Sequence, residues 1–191
     1  MKILLINGSP QANGNTKTAL EIMVKVFQQN KLDAEIVQLG GINIRGCSGC
    51  RSCWKNKDGK CVINDGLTPI MAQCFQKNIG AIVIGSPTYF SNVTTEVKAF
   101  IDRVGFVAKA NDGLLKDKIG APVVIHRRAG ASFTYSAINY FFGINEMPIA
   151  TSIYWNLGVA RKPGDLEKDE EGISTFQQLA KNIVKLIGVN K

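Results

Sequence analysis

Histidine is nearly absent from this chain: His126 is the only one among 191 residues. Structural zinc sites usually combine a cysteine pair with a histidine pair, or two separated cysteine pairs, so the usual zinc pattern is missing. Long apolar runs are also absent, because no stretch approaches the roughly 18–20 residues of a membrane span. The apolar run after Lys2, Ile3–Ile6, is too short for the core of a secretory signal. We therefore expect a cytoplasmic protein with no membrane contact.

A concentrated basic segment is missing too, although the formal net charge is +8. The basic residues are scattered, and no run has the interleaved aromatic residues of a surface that binds nucleic-acid strands. We expect no nucleic-acid partner. The formal charge counts every cysteine as neutral, whereas a four-thiolate [4Fe–4S] cluster and a phosphate monoester would each carry about −2. We interpret part of the positive charge as the counter-charge of bound anions.

Length and composition fit a single globular domain, residues 1–191. With 45% hydrophobic and 20% charged residues, a chain of this size buries its own core without disulfide staples. The cysteine count is odd, at five. Together with the missing secretory signal, this count favours a reducing compartment over a disulfide framework.

Four of the five cysteines lie within fifteen residues: Cys47, Cys50, Cys53 and Cys61, in the spacing C-x2-C-x2-C-x7-C. Thiolates this closely spaced can converge on one soft metal centre, and C-x2-C-x2-C steps recur in iron–sulfur ligation. We predict that these four residues bind an iron–sulfur cluster; zinc, a metal-free redox loop and plain packing are the alternatives. Cys74 lies on an apolar helix stripe, where we expect it to pack as a small hydrophobic residue.

Buried strands alternate with amphipathic helices along the chain. The strands are short continuous apolar runs, and the helices show apolar residues at positions i, i+3, i+4 and i+7. The predicted strands are Lys2–Asn7, Ala34–Leu39, Ala81–Gly85, Ala121–His126 and Ile149–Ile153, and the helices are Thr16–Asn30, the stripes Leu67–Phe75 and Val97–Val104, a helix after Gly130 through about Phe142, and the stripe Phe176–Ile187.

Five strand–helix units in succession predict an α/β fold, with a parallel sheet between two layers of helices. Right-handed crossovers make the doubly wound, five-stranded order 2-1-3-4-5 the common solution. In such sheets ligands bind beyond the carboxyl ends of the strands, beside strands 1 and 3. The most unusual loops of the sequence lie at this edge, and one of them is the cysteine loop, residues 40–66.

The loop Gly8–Thr16 joins the first strand to the first helix. Its small and hydroxyl-bearing residues expose backbone N–H groups at a helix N-terminus, where the helix dipole favours an anion. The Walker pattern fails because Asn15 and Thr16 follow Gly14 with no lysine between, and the G-x-G-x-x-G fingerprint is absent. We therefore predict a site for a phosphate monoester; an ordinary polar turn capped by Asn15 or Thr16 is the alternative.

Three motifs in this order resemble the NAD(P)H-dependent FMN reductase superfamily of flavodoxin-like folds, and the resemblance covers essentially the whole chain. With the cysteine motif that begins at Gly46, the chain is most similar to the iron–sulfur flavoproteins of that group. In two places it departs from their pattern: Asp65 is followed by Gly66 instead of a second aspartate, and the gap before Cys61 is long. The three motifs are Gly8-Ser9-Pro10 through Gly14-Asn15-Thr16, Gly85-Ser86-Pro87-Thr88-Tyr89-Phe90, and Lys98-Ala99-Phe100-Ile101-Asp102-Arg103.

The resemblance implies three groups of FMN-binding residues. One group holds the phosphate, a second lies along the isoalloxazine ring, and a third, after strand 4, forms another wall of the site. An arginine beside the ring would stabilise its anionic reduced form, although either arginine could instead pair with an acidic residue at the surface, and the sequence leaves open which one faces the ring. The groups are Ser9, Gln11, Asn13, Gly14, Asn15 and Thr16; Pro87, Thr88, Tyr89 and Phe90; and Arg127, Arg128, Ala129 and Gly130.

The resemblance therefore implies a flavoprotein oxidoreductase that transfers electrons between a reduced donor, NAD(P)H or a ferredoxin, and an acceptor, through a [4Fe–4S] cluster. One alternative is an NAD(P)H-dependent reductase of FMN, quinones, or nitro or azo compounds that has no cluster. The other is a non-enzymatic electron carrier or thiol redox sensor. A homodimer or homotetramer is also expected. Basic residues surround the cysteines and could attract an acidic redox protein, or simply be solvated: Arg45, Arg51, Lys55, Lys57 and Lys60.

Overall fold

A five-stranded sheet forms the centre of the computed structural model, which describes residues 1–189. The strand order is 2-1-3-4-5, as the sequence predicts, and every pair of neighbouring strands is parallel. The strands are β1 (Lys2–Asn7), β2 (Asp33–Gln38), β3 (Ile79–Pro87), β4 (Ile119–His126) and β5 (Leu157–Val159).

Helices cover both faces of this sheet. None of the helices within residues 1–189 is long and apolar enough to cross a membrane. The helices are α1 (Asn15–Gln29), α2 (Ser52–Asn56), α3 (Leu67–Cys74), α4 (Thr95–Ala110), α5 (Ala131–Ile144) and α6 (Glu170–Val189), with a short 3₁₀ helix at Asp165–Lys168.

Strand β1 shows how the sheet divides the core into two halves. Ile3 and Leu5 pack with residues of α1 and α6 on one face, and Leu4 and Ile6 pack with residues of α3, α4 and α5 on the other. All four side chains are fully buried. A strand covered on both faces is apolar throughout rather than alternating, and burying each such side chain stabilises the fold by roughly 1.5–3 kcal/mol.

Cys74 belongs to this core, as predicted. Its side chain is fully buried among the residues that α3 and α4 contribute. Burial raises the pKa of its thiol to about 12, so Cys74 is neutral at physiological pH and takes no part in the cysteine site.

The prediction of the fifth strand was wrong in position. Ile149 forms only a single bridge to Gly120, and the regular strand is β5, which begins where Leu157 pairs with Val124. Between the Ile149–Gly120 bridge and the Leu157–Val124 pair, this edge of the sheet uses eight residues where β4 uses four. The extra residues therefore bulge outward. Helix α6 explains the excursion, because Asn182 Nδ2 donates to the Thr151 carbonyl (2.8 Å), a group that a regular strand would use in the sheet.

The cysteine loop contains a short helix that the sequence did not predict. Helix α2 follows Arg51 and precedes Lys57, and both flanking residues have left-handed backbones, with φ of 57° and 49°. Two such turns in seven residues fold the loop back on itself. All four cysteines of the folded loop line one cavity.

Candidate cofactor sites

The loop that leaves β1 starts at the switch point of the sheet. The Gly8 N–H donates to the Gly85 carbonyl at 2.8 Å, so the loop begins between the ends of β1 and β3. A Cβ atom on Gly8 would lie 2.0 Å from Val97 Cγ2 and 2.8 Å from the Gly85 carbonyl oxygen. Only glycine allows the backbone to pass this close to α4.

Helix α1 begins behind this loop without a side-chain cap. Gly14 occupies the N-cap position, and its carbonyl accepts from the Thr18 N–H at 3.2 Å. The N–H groups of the first turn therefore point out of the helix end, where the helix dipole adds positive potential. This arrangement suits a phosphate group.

The side chains predicted to hold the phosphate do not all face the same way. Ser9 is buried and its Oγ accepts the Gln11 N–H (3.2 Å), which shapes the loop. Asn13 is exposed, and its Oδ1 accepts from Lys17 Nζ at 2.9 Å. Thr16 is buried at the helix end, 2% exposed. Lys17, which was not among the predicted residues, therefore contacts the loop through Asn13.

The Asn15 side chain points away from the loop. Its Nδ2 donates to the Lys162 carbonyl (2.8 Å), and its Oδ1 accepts the N–H groups of Gly164 (3.1 Å) and Leu166 (3.3 Å). Asn15 therefore ties the segment after β5 to the start of α1, and only its backbone N–H remains for a phosphate.

The segment after β3 forms a tight exposed turn. Tyr89 and Asn92 exchange both backbone hydrogen bonds at 3.0 Å, and the two residues between them, Phe90 and Ser91, are left-handed, with φ of 48° and 58°. Tyr89 is 46% exposed and Phe90 is fully exposed. Both rings thus stand outside the core, at the edge where a planar ligand would lie.

The loop after β4 meets this turn. Gly130 has φ of 85°, and a Cβ atom there would lie 2.4 Å from Ser91 Oγ. Between these loops the Thr88 Oγ1 is buried and has no hydrogen-bond partner among residues 1–189, which fits a polar atom of a ligand. Arg127 and Arg128 are exposed, and neither forms an ion pair within residues 1–189. Pro87 and Ala129 complete the two loops.

The four clustered cysteines line one cavity of about 220 Å³. Cys47 and Cys50 are exposed, whereas Cys53 and Cys61 are half-buried. Hydrogen bonds from Ser52 and then Ser48 lower the pKa of the Cys50 thiol to about 7. Burial raises the pKa of the Cys53 thiol, and the nearby Cys61 and Cys47 sulfurs raise it further, as expected where thiolates crowd together.

The spacing of these thiols bears on which metal they suit. Within residues 1–189, no three His, Cys, Asp or Glu groups come together in the way that a single metal ion requires. Zinc at about 2.3 Å from each sulfur needs the sulfurs about 3.8 Å apart in a tetrahedron. The cysteines of a [4Fe–4S] cluster each bind a different iron atom and stand farther apart. Four thiols around one cavity are the donor set that such a cluster uses.

Sequence reasoning missed a buried ion pair at this cavity, formed by Arg103 and Asp65. Arg103 Nη1 lies 2.6 Å from Asp65 Oδ2, and the two side chains are 0% and 6% exposed. Burial opposes ionisation of both groups, but their mutual hydrogen bond lowers the pKa of Asp65 and raises that of Arg103. The available signal was an arginine on the apolar stripe of α4, one residue before Val104.

The phosphate loop and the cysteine loop are in direct contact. Gln38 Nε2 donates to the carbonyls of both Ser9 (2.8 Å) and Gly40 (3.0 Å). A Cβ atom on Gly40 would lie 2.2 Å from the Ser9 carbonyl oxygen. The two candidate sites therefore share one edge of the sheet.

Comparison with known proteins identifies the family. The family model described as NADPH-dependent FMN reductase matches residues 1–162. The chain belongs to this family. It is 36% identical over 206 residues to an iron–sulfur flavoprotein of Archaeoglobus fulgidus, with 100% of this chain and 98% of the relative covered. It is 29% identical over 203 residues to an iron–sulfur flavoprotein of Methanocaldococcus jannaschii, with both chains fully covered.

The solved structures support the fold. A flavodoxin from the domain Archaea superposes with a TM-score of 0.63 at 15% identity, covering 98% of this chain and 99% of the other. The flavodoxin-like fold and the FMN reductase family, both expected from the sequence motifs, are confirmed. The protein is a flavin-dependent oxidoreductase of an FMN-binding family.

Proposed function

We propose that this protein binds FMN at the loops around α1, β3 and β4, holds a [4Fe–4S] cluster in the cysteine cavity, and transfers electrons between a reduced donor and an acceptor. The observation that carries this proposal is that Cys47, Cys50, Cys53 and Cys61 surround one cavity on a loop that contacts the phosphate loop. The names of the two relatives, both iron–sulfur flavoproteins, also support it.

For FMN we propose that backbone N–H groups bind the phosphate and that the two exposed loops bind the ring. Asn15 and Thr16 would donate from the start of α1, which no side chain caps. Gly14 would hold the loop in place at the N-cap, because its own N–H donates to the Gln11 carbonyl at 3.0 Å. Ser9, Gln11 and Asn13 would shape or close the loop. The ring would lie against Pro87, Thr88, Tyr89 and Phe90, with Arg127, Arg128, Ala129 and Gly130 forming the other wall.

The two groups complement each other chemically. When bound, FMN supplies both hydride and single-electron chemistry, and a [4Fe–4S] cluster supplies single-electron chemistry. The Gly40 contact joins the two loops, so the residues of this chain would hold the two groups near the same edge of the sheet. Arg51, Lys55, Lys57 and Lys60 are exposed on the cysteine loop, so this face carries the positive charge that would attract an acidic ferredoxin-like protein.

The donor and the assembly stay predictions. NAD(P)H is favoured as donor by the family description, and a ferredoxin by the basic face. A homodimer or homotetramer would use the apolar groove between α4 and α5, because its side chains are exposed: Phe106 is 49%, Tyr140 78% and Ile144 64% exposed.

One competing function has an observation in its favour. The family description names NADPH-dependent FMN reductase, which requires no cluster. In that case the protein would reduce FMN, a quinone, or a nitro or azo compound directly, and its cysteines would be dispensable.

Metal analysis separates these functions. In protein purified anaerobically, we expect about four iron and four sulfide per chain together with bound FMN. The Cys53→Ser variant should lose most of the iron and keep FMN, whereas the control Cys74→Ala, which changes the one cysteine outside the loop, should keep both. Wild-type protein with a full complement of FMN but little iron would contradict the cluster. One zinc per chain would show that the cysteines bind zinc instead.

A further inference from the structure

The cysteine loop has little support of its own. Apart from the short helix α2, its backbone is irregular, and its cysteines at Cys47 and Cys50 are exposed. Several of the hydrogen bonds that hold the loop to the rest of the protein come from α4 and from the residue that follows it. Asn111 Oδ1 accepts the Gly59 N–H at 2.8 Å, and Arg103 donates to two loop carbonyls. Gln38 also holds the start of the loop, through the Gly40 carbonyl.

Arg103 binds both ends of the loop at once. Its Nη1 donates to the Arg45 carbonyl at 3.0 Å, and its Nη2 donates to the Ile63 carbonyl at 2.7 Å. Arg45 lies two residues before Cys47, and Ile63 lies two residues after Cys61. The guanidinium therefore closes the loop immediately outside its first and last cysteines.

Asp65 completes the closure. Its Oδ2 accepts both from Arg103 Nη1 (2.6 Å) and from the Arg45 N–H (2.9 Å), and its Oδ1 accepts from the Leu67 N–H at 3.0 Å. Both backbone groups of Arg45 are thus bound by the ion pair. A planar guanidinium can serve several acceptors in fixed directions, which an ammonium group on a flexible chain cannot.

The same guanidinium lines the cysteine cavity together with all four thiols. Its side chain is fully buried, and its Nε finds no hydrogen-bond partner in the part of the chain that the structure describes. Four metal-bound thiolates would bring negative charge to a site where this cation is fixed and shielded from water. A fixed positive charge favours the state of a cluster that holds the extra electron.

We propose that Arg103, oriented by Asp65, is a positioning residue that holds the cysteine loop in its metal-binding shape and raises the reduction potential of the cluster. The proposal rests on the proposed function for its second half only. The shape of the loop is a property of the chain without metal, so the two halves are tested separately.

The first test is limited trypsin digestion of metal-free protein. Arg51, Lys55, Lys57 and Lys60 offer exposed cleavage sites within the loop. Arg103→Lys keeps the positive charge but loses the planar guanidinium that binds several acceptors at once. We expect trypsin to cleave this variant at the loop sites, identified by the mass of the products, at least about tenfold faster than the wild type. Lys98→Gln, an exposed position on the same helix, is the control and should stay within about twofold of the wild type.

Equal loop cleavage in Arg103→Lys and wild type would overturn the positioning role. Should Arg103→Lys fail to fold, Asp65→Asn provides the second variant, with the same expectation of faster cleavage confined to the loop. Cleavage spread evenly over the whole chain in Asp65→Asn would equally contradict a role specific to the loop.

The second test is the midpoint potential of the cluster, measured by redox titration followed by electron paramagnetic resonance. We expect Arg103→Gln to weaken electron binding about tenfold, a potential about 59 mV lower for one electron. Asp65→Asn should shift the potential upward, because it removes the negative partner. Lys98→Gln should leave it close to the wild type.

Unchanged potentials in Arg103→Gln and Asp65→Asn, or shifts of the same sign, would overturn the electrostatic role. A wild-type protein that binds FMN but no iron would overturn this half together with the proposed cluster function. The trypsin result would still decide the positioning role alone.

Discussion

His126 is the single histidine of the chain and lies at the end of β4, beside the candidate flavin site. Burial lowers its pKa, while Asp169 and the Arg128 backbone act in the opposite direction with smaller effect. The Nδ1 atom is buried, and no group of residues 1–189 forms a hydrogen bond with it. Because the folded-state pKa lies below the unfolded value near 6.5, the unfolded chain takes up the proton first as the pH falls.

We predict that the stability of the FMN-free protein decreases as the pH falls from about 6.5 to 5.5, by at most about 1.4 kcal/mol per pH unit. His126→Gln should flatten this slope, since few other groups titrate in that window. Urea unfolding at several pH values measures the free energy of unfolding of both proteins. A slope of equal size in His126→Gln would show that His126 is not responsible.

Single residues were the hardest features to predict. The sequence indicated which cysteines lie around one cavity, because their spacing is local. It did not indicate the partner of Arg103, since Asp65 is 38 residues away in sequence and the pairing depends on how the loop folds. It also placed Asn15 among the phosphate residues without indicating that the Asn15 side chain binds a segment 147 residues away.

At the scale of secondary-structure elements, the start of α1 is the feature on which FMN binding depends most. The helix has no side-chain cap, and its loop is built closely against β3 and α4 through Gly8. Its first-turn N–H groups are directed at the place where we expect the phosphate, and riboflavin has no group to accept them.

We predict that the apoprotein binds FMN at least about 100-fold more tightly than riboflavin, about 2.7 kcal/mol in binding free energy. Quenching of flavin fluorescence measures both affinities. Because part of the difference is electrostatic, it should shrink as salt is raised.

Equal affinities for FMN and riboflavin would show that α1 does not anchor a phosphate. As a control, Lys109→Gln changes a half-buried residue of α4, lowers the net charge by one and should keep the preference for FMN.

Elements with strong periodicity were predicted well, and edge elements were not. Helix α1 and strand β1 begin and end within one residue of the predicted limits. The fifth strand was misplaced because the apolar residues of Ile149–Ile153 resemble a strand, while α6 binds the polar groups of this segment. The Asn182 side chain donates to the Thr151 carbonyl, and Ser152 Oγ donates to the Thr175 carbonyl. Helix α2 gave no signal, since five residues are too few for a helical repeat to show.

At the scale of the whole molecule, the parallel sheet brings the two sites together. Its strand order follows from strand–helix alternation and the handedness of crossovers, which is why the sequence sufficed to predict it. The loops at its carboxyl edge do not obey such rules, and their geometry depends on particular contacts, such as Gly130 with Ser91.

The most direct test of a protein that joins FMN to a cluster is the number of electrons that one chain accepts. An anaerobic reductive titration of the purified protein, followed by its visible spectrum, measures this number. We predict about three electrons per chain, two for FMN and one for the cluster. An uptake of two electrons, with flavin bands alone bleaching, would contradict the joined site and leave a simple flavin reductase.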